Sequence, residues 1–304
     1  MFPLRYLQLD VFPAGLGGGN PLGIVFGAAH WNSAQMQHFA AWTGLVETTF
    51  VLPPHEPSAS YRLRIFTPHK EIPFAGHPSI GSAHAVLQTG WARPHQGLLL
   101  QECGAGVLPV RVEGSAHTPE LFIRTPPAHI LRDGADAATA LAGVINVQQM
   151  GQLGGMLVDG GRRWWLTELA DEASLRAWQP DHAAIAALAR SSQSMGLCVF
   201  ARALDETHDL AVRAFPAGAG IVEDPASGAA NGLIAASIAQ REPDGPLAQG
   251  YSVSQGREIG HDARIMVRID ASGEVWVGGR TRTIIDGQLA WHDDTTTRLR
   301  AVVA

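Results

Sequence analysis

The sequence predicts an α+β fold of two structurally similar lobes, each a curved β-sheet around a central helix. Two observations support this prediction. One loop occurs twice, about half the chain apart, and in each half strand-like segments precede the loop and a helix-like segment follows it. The length of 304 residues is also long for one core and comfortable for two. We expect an N-terminal lobe over residues 1–125 and a C-terminal lobe over 126–304, whose last strand can cross back to the first lobe.

The repeated loop can be aligned in two ways. The copies are Arg64-Ile65-Phe66 followed by Ala75 to Ala83, and Arg213-Ala214-Phe215 followed by Glu223 to Ala230. The arginine recurs at an offset of 149 (213 − 64) and Pro78 at 147 (225 − 78), which a two-residue indel reconciles. A second register aligns Ala75-Gly76-His77 with Ser227-Gly228-Ala229, and the sequence does not choose between them.

Each copy has the pattern of a strand that leads into the start of a helix. The first backbone N–H groups of a helix have no partner within it and can hold an anion. Two such starts that face each other would form a carboxylate-binding cleft between the lobes.

In the first half, apolar alternation predicts strands and helical spacing predicts helices. The predicted strands are Leu4 to Val11, Thr48 to Leu52, Tyr61 to Phe66, Gly106 to Glu113 and Leu121 to Arg124. The predicted helices are Ser33 to Trp42, with Ser33 as its N-cap, and Ser79 to Leu87, which Pro78 starts.

The second half begins at Pro126-Pro127 and shows the same kinds of segment. The predicted helices are Asp136 to Val144, Ser174 to Trp178, Asp181 to Ala189 and Asn231 to Ala239. The predicted strands are Arg162 to Leu166, Gly196 to Ala203, Leu210 to Phe215, Arg264 to Ile269 and Glu274 to Val277. The last two flank the turn Ala271-Ser272-Gly273, which indicates a hairpin.

Composition argues against several classes of partner. The net charge is −6 and the 22 Lys and Arg residues form no basic cluster, so nucleic acid is not an expected partner. No apolar run reaches the roughly 18 residues of a membrane span. Asp10 and Pro13 interrupt any apolar stretch behind Arg5, which argues against a secretory signal. We expect a cytoplasmic protein.

The cysteines and histidines predict neither a disulfide nor a metal site. Cys103 and Cys198 are far apart and lie outside both loop copies, so we expect free, buried thiols. The 13 histidines form no H-E-x-x-H pattern, and there is no C-x-x-C pair. The glycines from Gly15 to Gly19 lack the strand and helix context of a dinucleotide site.

Three residues are candidates for acid–base chemistry. Glu47 stands at the mouth of an apolar strand, where desolvation would raise its pKa towards neutrality; the alternative is an exposed strand-end glutamate. His77 could donate to a substrate oxygen or pass a proton, or could bond only to its own turn. Asp224 could accept from an amine or hydroxyl, or could cap its helix.

Further residues of the two loops are candidates for binding. Gly76, Gly81 and Gly228 allow close approach of the backbone, and Ser79 and Ser227 can add hydroxyl donors. Asn20 follows the glycine run and could either reach the cleft as an amide donor or stabilise its own turn.

These residues match a known family. They are Asp10-Val11-Phe12, Gly19-Asn20-Pro21, Glu47-Thr48 before Phe50-Val51, Phe66-Thr67-Pro68, Glu71, Pro73-Phe74-Ala75-Gly76-His77-Pro78, Arg213-Ala214-Phe215, Glu223-Asp224-Pro225, Ser227-Gly228 and Val277-Gly278-Gly279. In this pattern, which spans almost the whole chain, the protein resembles the phenazine biosynthesis PhzF-like isomerases, which have the diaminopimelate epimerase-like fold.

The resemblance implies an active site between two lobes, a homodimer, a small-molecule carboxylate substrate and no cofactor or metal. It implies that Glu47 is the acid/base that moves a proton between substrate carbons. His77 and Asp224 would orient polar groups of the substrate. Backbone N–H groups around Gly76 and Gly228 would hold its carboxylate.

Departures from the family pattern restrict the chemistry. The related epimerases and racemases have a cysteine in each loop, at the positions of Ala75 and Ser227, so two-thiol racemisation is not expected. The isomerases commonly have a substrate-binding serine where this chain has Ala229, which weighs against the substrate of the phenazine pathway more than against the chemistry. Ser79 and Ser227 stand where threonine is usual and keep the hydroxyl.

The leading hypothesis is therefore a cofactor-independent isomerase that shifts a proton on a small, cyclic or amino-bearing carboxylate. A second hypothesis is a dehydratase or epimerase on the same scaffold, with Glu47 or Asp224 as the base. A third is a non-catalytic protein that binds small acids.

Overall fold

A computed structural model describes residues 4–115, 118–203 and 207–291 of the chain. Its first-half strands are β1 (Leu4–Val11), β2 (Asn20–Phe26), β3 (Glu47–Leu52), β4 (Tyr61–Phe66), β5 (Glu71–Ile72), β6 (Leu98–Cys103), β7 (Gly106–Ser115) and β8 (Thr118–Arg124). Its second-half strands are β9 (His129–Arg132), β10 (Met150–Asp159), β11 (Arg163–Leu169), β12 (Leu197–Arg202), β13 (Leu210–Phe215), β14 (Gly250–Gln255), β15 (Ala263–Ile269), β16 (Val275–Gly279) and β17 (Thr281–Leu289). The α-helices in these ranges are α1 (Ser33–Thr43), α2 (Gly76–Thr89), α3 (Gly134–Leu141), α4 (Glu172–Ala177), α5 (His182–Ser192) and α6 (Gly228–Arg241).

The two halves repeat one sheet topology. In the first, β1, β2, β3, β4, β6, β7 and β8 pair in that order, and the pairs β2–β3 and β4–β6 are parallel while the others are antiparallel. In the second, β10 to β16 pair in chain order, and β11–β12 and β13–β14 are the parallel pairs. The same alternation in both halves shows that the fold is duplicated.

Each lobe is built around one central helix. Helix α2 follows β4 and β5 and packs against β1, β2, β3 and β8, and α6 follows β13 and packs against β10, β11, β15 and β16. Both helices are buried along most of their length because their residues are small or apolar on nearly every face. The predicted α+β fold, with two lobes and a central helix in each, is confirmed.

Two strand pairs join the lobes into one sheet. Strand β8 of the first half pairs with β16 of the second, and β17 returns to pair with β1. Gly278 of β16 lies opposite Phe122 of β8, where the backbones are so close that a Cβ at Gly278 would lie 1.9 Å from the carbonyl oxygen of Leu121. Only glycine fits at this point of the junction.

The core of the described residues consists of three hydrophobic clusters. The largest lies around α2 and α6 and is continuous between the lobes. A second lies in the C-terminal half, beneath α3, α4 and α5, and contains Trp165. The third lies beneath α1, where Phe39 and Phe50 contact Trp31. The central helices are therefore held by one shared core, whereas the outer helices cover local ones.

Several boundaries differ from the sequence-based expectation. The N-cap of α1 is Asn32 and not Ser33, because Asn32 accepts from the Gln35 backbone N–H and the Gln35 side chain accepts from the Asn32 N–H. Helix α2 begins at Gly76, before Pro78.

Strand β10 was missed because three of its ten residues are glycines, which hide its alternation. Six other strands were also not predicted: β2, β5, β6, β9, β14 and β17. Cys198 is free and buried as predicted, whereas Cys103, also free, is only half-buried.

None of the helices in the described ranges is both long and apolar enough to cross a membrane.

We expect Gly278→Ala to weaken the junction between the lobes. The added methyl group would meet the Leu121 carbonyl, which cannot move without breaking the β8–β16 pairing. The expected loss is at least about 2 kcal/mol in the free energy of unfolding, measured by urea denaturation. Gly287→Ala, in β17 with open space around the site, is the control and should cost less than about 1 kcal/mol. Equal losses in both variants would contradict this explanation.

Candidate active site

The starts of the two central helices face each other across the molecule. Helix α2 begins at Gly76 after its N-cap Ala75, and α6 begins at Gly228 after Ser227. A Cβ built on Gly76 would lie 3.6 Å from the Gly228 Cα, and the reverse distance is 3.7 Å. The second register of the repeated loop, which aligns Gly76 with Gly228, is therefore the structural one. Pro225, which the first register aligns with Pro78, lies before α6 and does not start it.

This arrangement brings unpaired helix amides together. In α6 the Asn231 N–H donates to the Ser227 carbonyl and in α2 the Ser79 N–H donates to the Ala75 carbonyl. The amides that precede them have no acceptor inside the helix, apart from that of Ala230, which donates to the Ser227 hydroxyl. The positive ends of both helix dipoles also lie at this gap. Such a gap favours an anion such as a carboxylate.

Glu47 is the first residue of β3 and lies opposite Leu22 of the parallel strand β2. Only 9% of its surface is exposed, so it is not a surface glutamate. Burial raises the pKa of Glu47 to about 8; the nearby Asp224 charge raises it further, and Arg162 opposes the rise. Its Oε2 atom has no hydrogen-bond partner among the described residues. The group can therefore exchange a proton close to neutral pH.

His77 is the second residue of α2 and is 6% exposed. Its Nε2 atom lies 3.4 Å from Glu47 Oε2, but the two atoms are not hydrogen-bonded, since neither has a hydrogen-bond partner in the described ranges. Burial lowers the pKa of His77 to about 3, against the opposing effect of the Pro21 carbonyl. The imidazole is therefore neutral at physiological pH.

The surroundings of Asn20 assign the tautomer of His77. The Asn20 Nδ2 group lies 3.1 Å from Asp224 Oδ1, 3.3 Å from the Ala226 carbonyl and 3.4 Å from His77 Nδ1. It has two hydrogens, and the two shorter contacts use both. His77 Nδ1 is then left to carry the proton that the Pro21 carbonyl accepts. We therefore assign the lone pair to Nε2, which faces Glu47.

Asn20 is fully buried at the start of β2, where the preceding turn fixes it. The Asp10 carboxylate accepts from the N–H groups of Gly17 and Gly19 at 2.9 and 2.8 Å and so closes this turn. Asn20 crosses from the first lobe to Asp224 in the second. Of the two roles predicted for Asn20, its amide does contact residues of the cleft, whereas the turn is closed by Asp10 and not by Asn20.

Asp224 lies in the loop before α6, where burial raises its pKa to about 6. Hydrogen bonds from the Ala226 N–H, the Ser227 hydroxyl and the Asn20 amide oppose this rise. Asp224 is not the N-cap of α6, because Ser227 holds that position and accepts from the Ala230 N–H. Between about pH 6 and pH 8 the site thus contains an ionised Asp224 and a largely protonated Glu47.

Not every predicted binding residue reaches the cleft. Ser79 is fully buried and donates its hydroxyl hydrogen to the Ala75 carbonyl at 2.8 Å, so its hydroxyl braces the loop. A Cβ on Gly81 would lie 2.5 Å from a methyl group of Leu22, and so this glycine serves the packing of α2. Ala229 is exposed at the start of α6, next to the gap.

Two residues near the site were missed by sequence reasoning. Arg162, in the turn between β10 and β11, is exposed and lowers the pKa of Glu47, although 115 positions (162 − 47) separate them. Gln255 ends β14 and is fully buried against the loop of Asp224. No local pattern distinguishes either residue, because only the duplicated topology brings them to the cleft.

Known proteins resemble this chain over both lobes. A family model for phenazine biosynthesis-like protein matches residues 9–288. The trans-2,3-dihydro-3-hydroxyanthranilate isomerase of Pseudomonas aeruginosa is 31% identical over 313 aligned positions, which cover 93% of this chain and 98% of that protein. Antisense-enhancing sequence 1 of Schizosaccharomyces pombe is 30% identical over 291 positions, which cover 93% and 97%. A PhzF-family phenazine biosynthesis protein of Bacillus anthracis superposes with a TM-score of 0.82 at 23% identity, and 96% and 100% of the two chains are covered.

We expect Glu47→Gln to stabilise the protein increasingly as the pH rises. The folded pKa of Glu47, about 8, exceeds its unfolded value of about 4.5, so the folded state binds the extra proton between these values. Wild-type stability from this group therefore falls as pH rises through that window, and glutamine removes the effect. One pKa unit corresponds to about 1.4 kcal/mol. Urea unfolding at pH 5, 7 and 9 should show a growing difference; a constant difference would contradict the raised pKa.

We expect Arg162→Met to raise the pKa of Glu47 further, because the opposing positive charge is lost. The neighbouring Arg163 pairs with Asp159 at 3.2 Å, and Arg163→Met is the matched control. The measurement is a carbon-13 NMR titration of the Glu47 carboxyl group in both variants. An unchanged Glu47 titration in Arg162→Met, or an equal shift in Arg163→Met, would show that Arg162 does not act on this group.

Proposed function

The chain belongs to the phenazine biosynthesis-like family and is an isomerase, and we propose that it moves a proton between two carbons of a small carboxylate without a cofactor. One observation carries the proposal: Glu47, with a pKa of about 8, lies against His77 beside the two facing helix starts. An anion site and a group able to exchange protons near neutral pH are thus adjacent.

The substrate carboxylate would bind the amides at Gly76 and Gly228, with an acidic C–H group beside Glu47. With a pKa near 8, about a tenth of the Glu47 side chains are ionised at pH 7, and this fraction is a stronger base than an ordinary carboxylate. The C–H bond breaks, its electron pair enters the neighbouring π system, and Glu47 holds the proton. The same proton is then returned at a second carbon, so nothing is oxidised or reduced.

His77 and Asp224 would orient the substrate. The ionised Asp224 can accept from an amine or hydroxyl of the substrate, and Asn20 holds one of its oxygens in place. His77 Nε2 lies 3.4 Å from Glu47 Oε2, and a small shift on substrate binding would let it accept the Glu47 proton in a hydrogen bond and so stabilise the protonated form. Ala229 offers no hydroxyl at the cleft, so the substrate would lack the group that a serine binds there.

The family resemblance and the composition further support a homodimer located in the cytoplasm.

A second candidate is an epimerase or dehydratase on the same scaffold. It is favoured because each lobe supplies one carboxyl group to the site, Glu47 from the first lobe and Asp224 from the second. Their pKa values of about 8 and 6 suit one acid and one base. Ala75 and Ser227 exclude the two-thiol form of this chemistry.

The test is an absorbance assay of trans-2,3-dihydro-3-hydroxyanthranilate turnover. We expect Glu47→Gln to lose at least about 100-fold in kcat, since the proton acceptor is gone. Glu113→Gln, near the end of β7, where the side chain lies beside Arg111, is the control and should keep full activity. Full activity in Glu47→Gln would refute the assignment of the base.

If the wild-type chain leaves this compound unchanged, Ala229→Ser is the next variant. A gain of turnover in this variant would show that the missing hydroxyl at Ala229 excludes the compound as a substrate. A panel of amino and hydroxy acids in deuterated water then separates the alternatives. Deuterium at the α-carbon of recovered substrate would favour epimerisation. Thermal stabilisation by an acid, with no exchange or turnover, would favour a binding protein.

A further inference from the structure

We propose that Gln255 is a positioning residue that holds Asp224 and the start of α6 in place, and that the same brace recurs in the first lobe at Gln101. The proposal rests on the proposed function only in treating Asp224 and the facing helix starts as the reacting site.

Gln255 joins both ends of the loop that carries Asp224. Its Nε2 group donates to the Asp224 carbonyl at 2.8 Å, and its Oε1 atom accepts from the Ser227 N–H at 3.3 Å. Asn231 of α6 also donates to Oε1, at 2.9 Å, and so fixes which way the amide is turned. Gln255 is fully buried, and the hydrogen bonds of its side chain go to this segment and to α6.

The segment has few other backbone contacts to hold it. The Asp224 N–H donates to the Ala214 carbonyl at 2.9 Å, but Pro225 has no N–H, and the Ala226 N–H donates back to the Asp224 carboxylate. The segment therefore belongs to neither a strand ladder nor a helix. Gln255 supplies the contacts that regular structure supplies elsewhere.

The first lobe has the same device. Gln101 is fully buried, accepts from the Tyr61 hydroxyl at 3.1 Å and donates to the Ser79 hydroxyl at 3.0 Å. Ser79 in turn donates to the Ala75 carbonyl at 2.8 Å, directly before Gly76. In each lobe a buried glutamine thus supports the segment just before the central helix. Gln255 bonds directly to the backbone of that segment in the second lobe. Gln101 acts in the first lobe through the Ser79 hydroxyl.

The two glutamines occupy equivalent strands of the duplicated fold. Gln255 lies on β14 opposite Val212 of the parallel strand β13, and Gln101 lies on β6 opposite Tyr61 of the parallel strand β4. When Arg64 is aligned with Arg213, Gln101 corresponds to Val253, two residues before Gln255, so the two glutamines share a face of equivalent strands but not one position. In each lobe the central helix connects these two parallel strands. A side chain at this place lies behind the helix start, where it can support the backbone without entering the cleft.

The effect of the brace can be detected through Asp224 itself. The titratable groups whose charges act on or respond to Asp224 are Glu47 of β3, His261 before β15 and Cys198 of β12. None of them is a hydrogen-bond partner of the Gln255 side chain in the described ranges. Replacing Gln255 with an uncharged residue therefore changes the alignment of Asp224 with its hydrogen-bond donors and leaves these charges in place.

The experiment is a carbon-13 NMR titration of the Asp224 carboxyl group in the full chain with Gln255→Met. We expect the titration midpoint to rise by at least about half a pH unit, because donors that favour the ionised form lose alignment while burial remains. Gln101→Met, the same change in the other lobe, should leave the Asp224 midpoint unchanged. Where the wild type turns over the dihydrohydroxyanthranilate, Gln255→Met should lower kcat at least tenfold and change KM less; Ser237→Ala, a buried hydroxyl in the middle of α6, should change neither.

An unchanged Asp224 midpoint in folded Gln255→Met would overturn the proposal, as would an equal shift in Gln101→Met. If Gln255→Met does not fold, Gln255→Asn keeps the polarity and shortens the reach by one methylene. The same rise is then expected, and its absence overturns the proposal equally. The titration needs no substrate, so a failure of the proposed reaction leaves this test intact.

Discussion

The site depends on one close approach, that of the α2 and α6 starts at Gly76 and Gly228. Two helix N-termini that face each other bring two positive dipole ends together, which is unfavourable unless negative charge lies near. The shared core and the continuous sheet hold both helices in this arrangement. Asp224 supplies one negative charge at its edge, and a substrate carboxylate would supply another. The duplicated fold thus holds the two positive helix N-termini together against their electrostatic repulsion.

The chemistry is asymmetric although the frame is symmetric. Strand β3 begins at Glu47, whereas the equivalent strand β12 begins at Leu197. The position after the helix glycine is His77 in one lobe and Ala229 in the other. In the proposed mechanism each lobe therefore contributes a different part: the first would supply the acid/base, Glu47, and the second the carboxylate that orients the substrate, Asp224. Desolvation then separates the two carboxyl pKa values, which a pair of identical sites could not achieve.

Much of the fold follows from local patterns, and most of the site does not. The strands around Arg64 and Arg213, and the helices after them, can be predicted because proline, glycine and β-branched residues mark their ends. Strand β10 cannot, since its glycines weaken the alternation. The burial of Glu47 is decided by the opposite lobe, which local sequence does not contain. Arg162 and Gln255 reach the cleft only through the duplicated topology, and so sequence spacing could not indicate them.

The most direct measurement is a crystal structure of the chain soaked with 2-aminobenzoate, an unreactive cyclic amino acid of the expected class. We predict that its carboxylate accepts hydrogen bonds from the amides at Gly76 and Gly228, and that its ring lies beside Glu47. A carboxylate bound elsewhere, with the two helix starts uncontacted, would contradict the central claim that the facing helices form the substrate site.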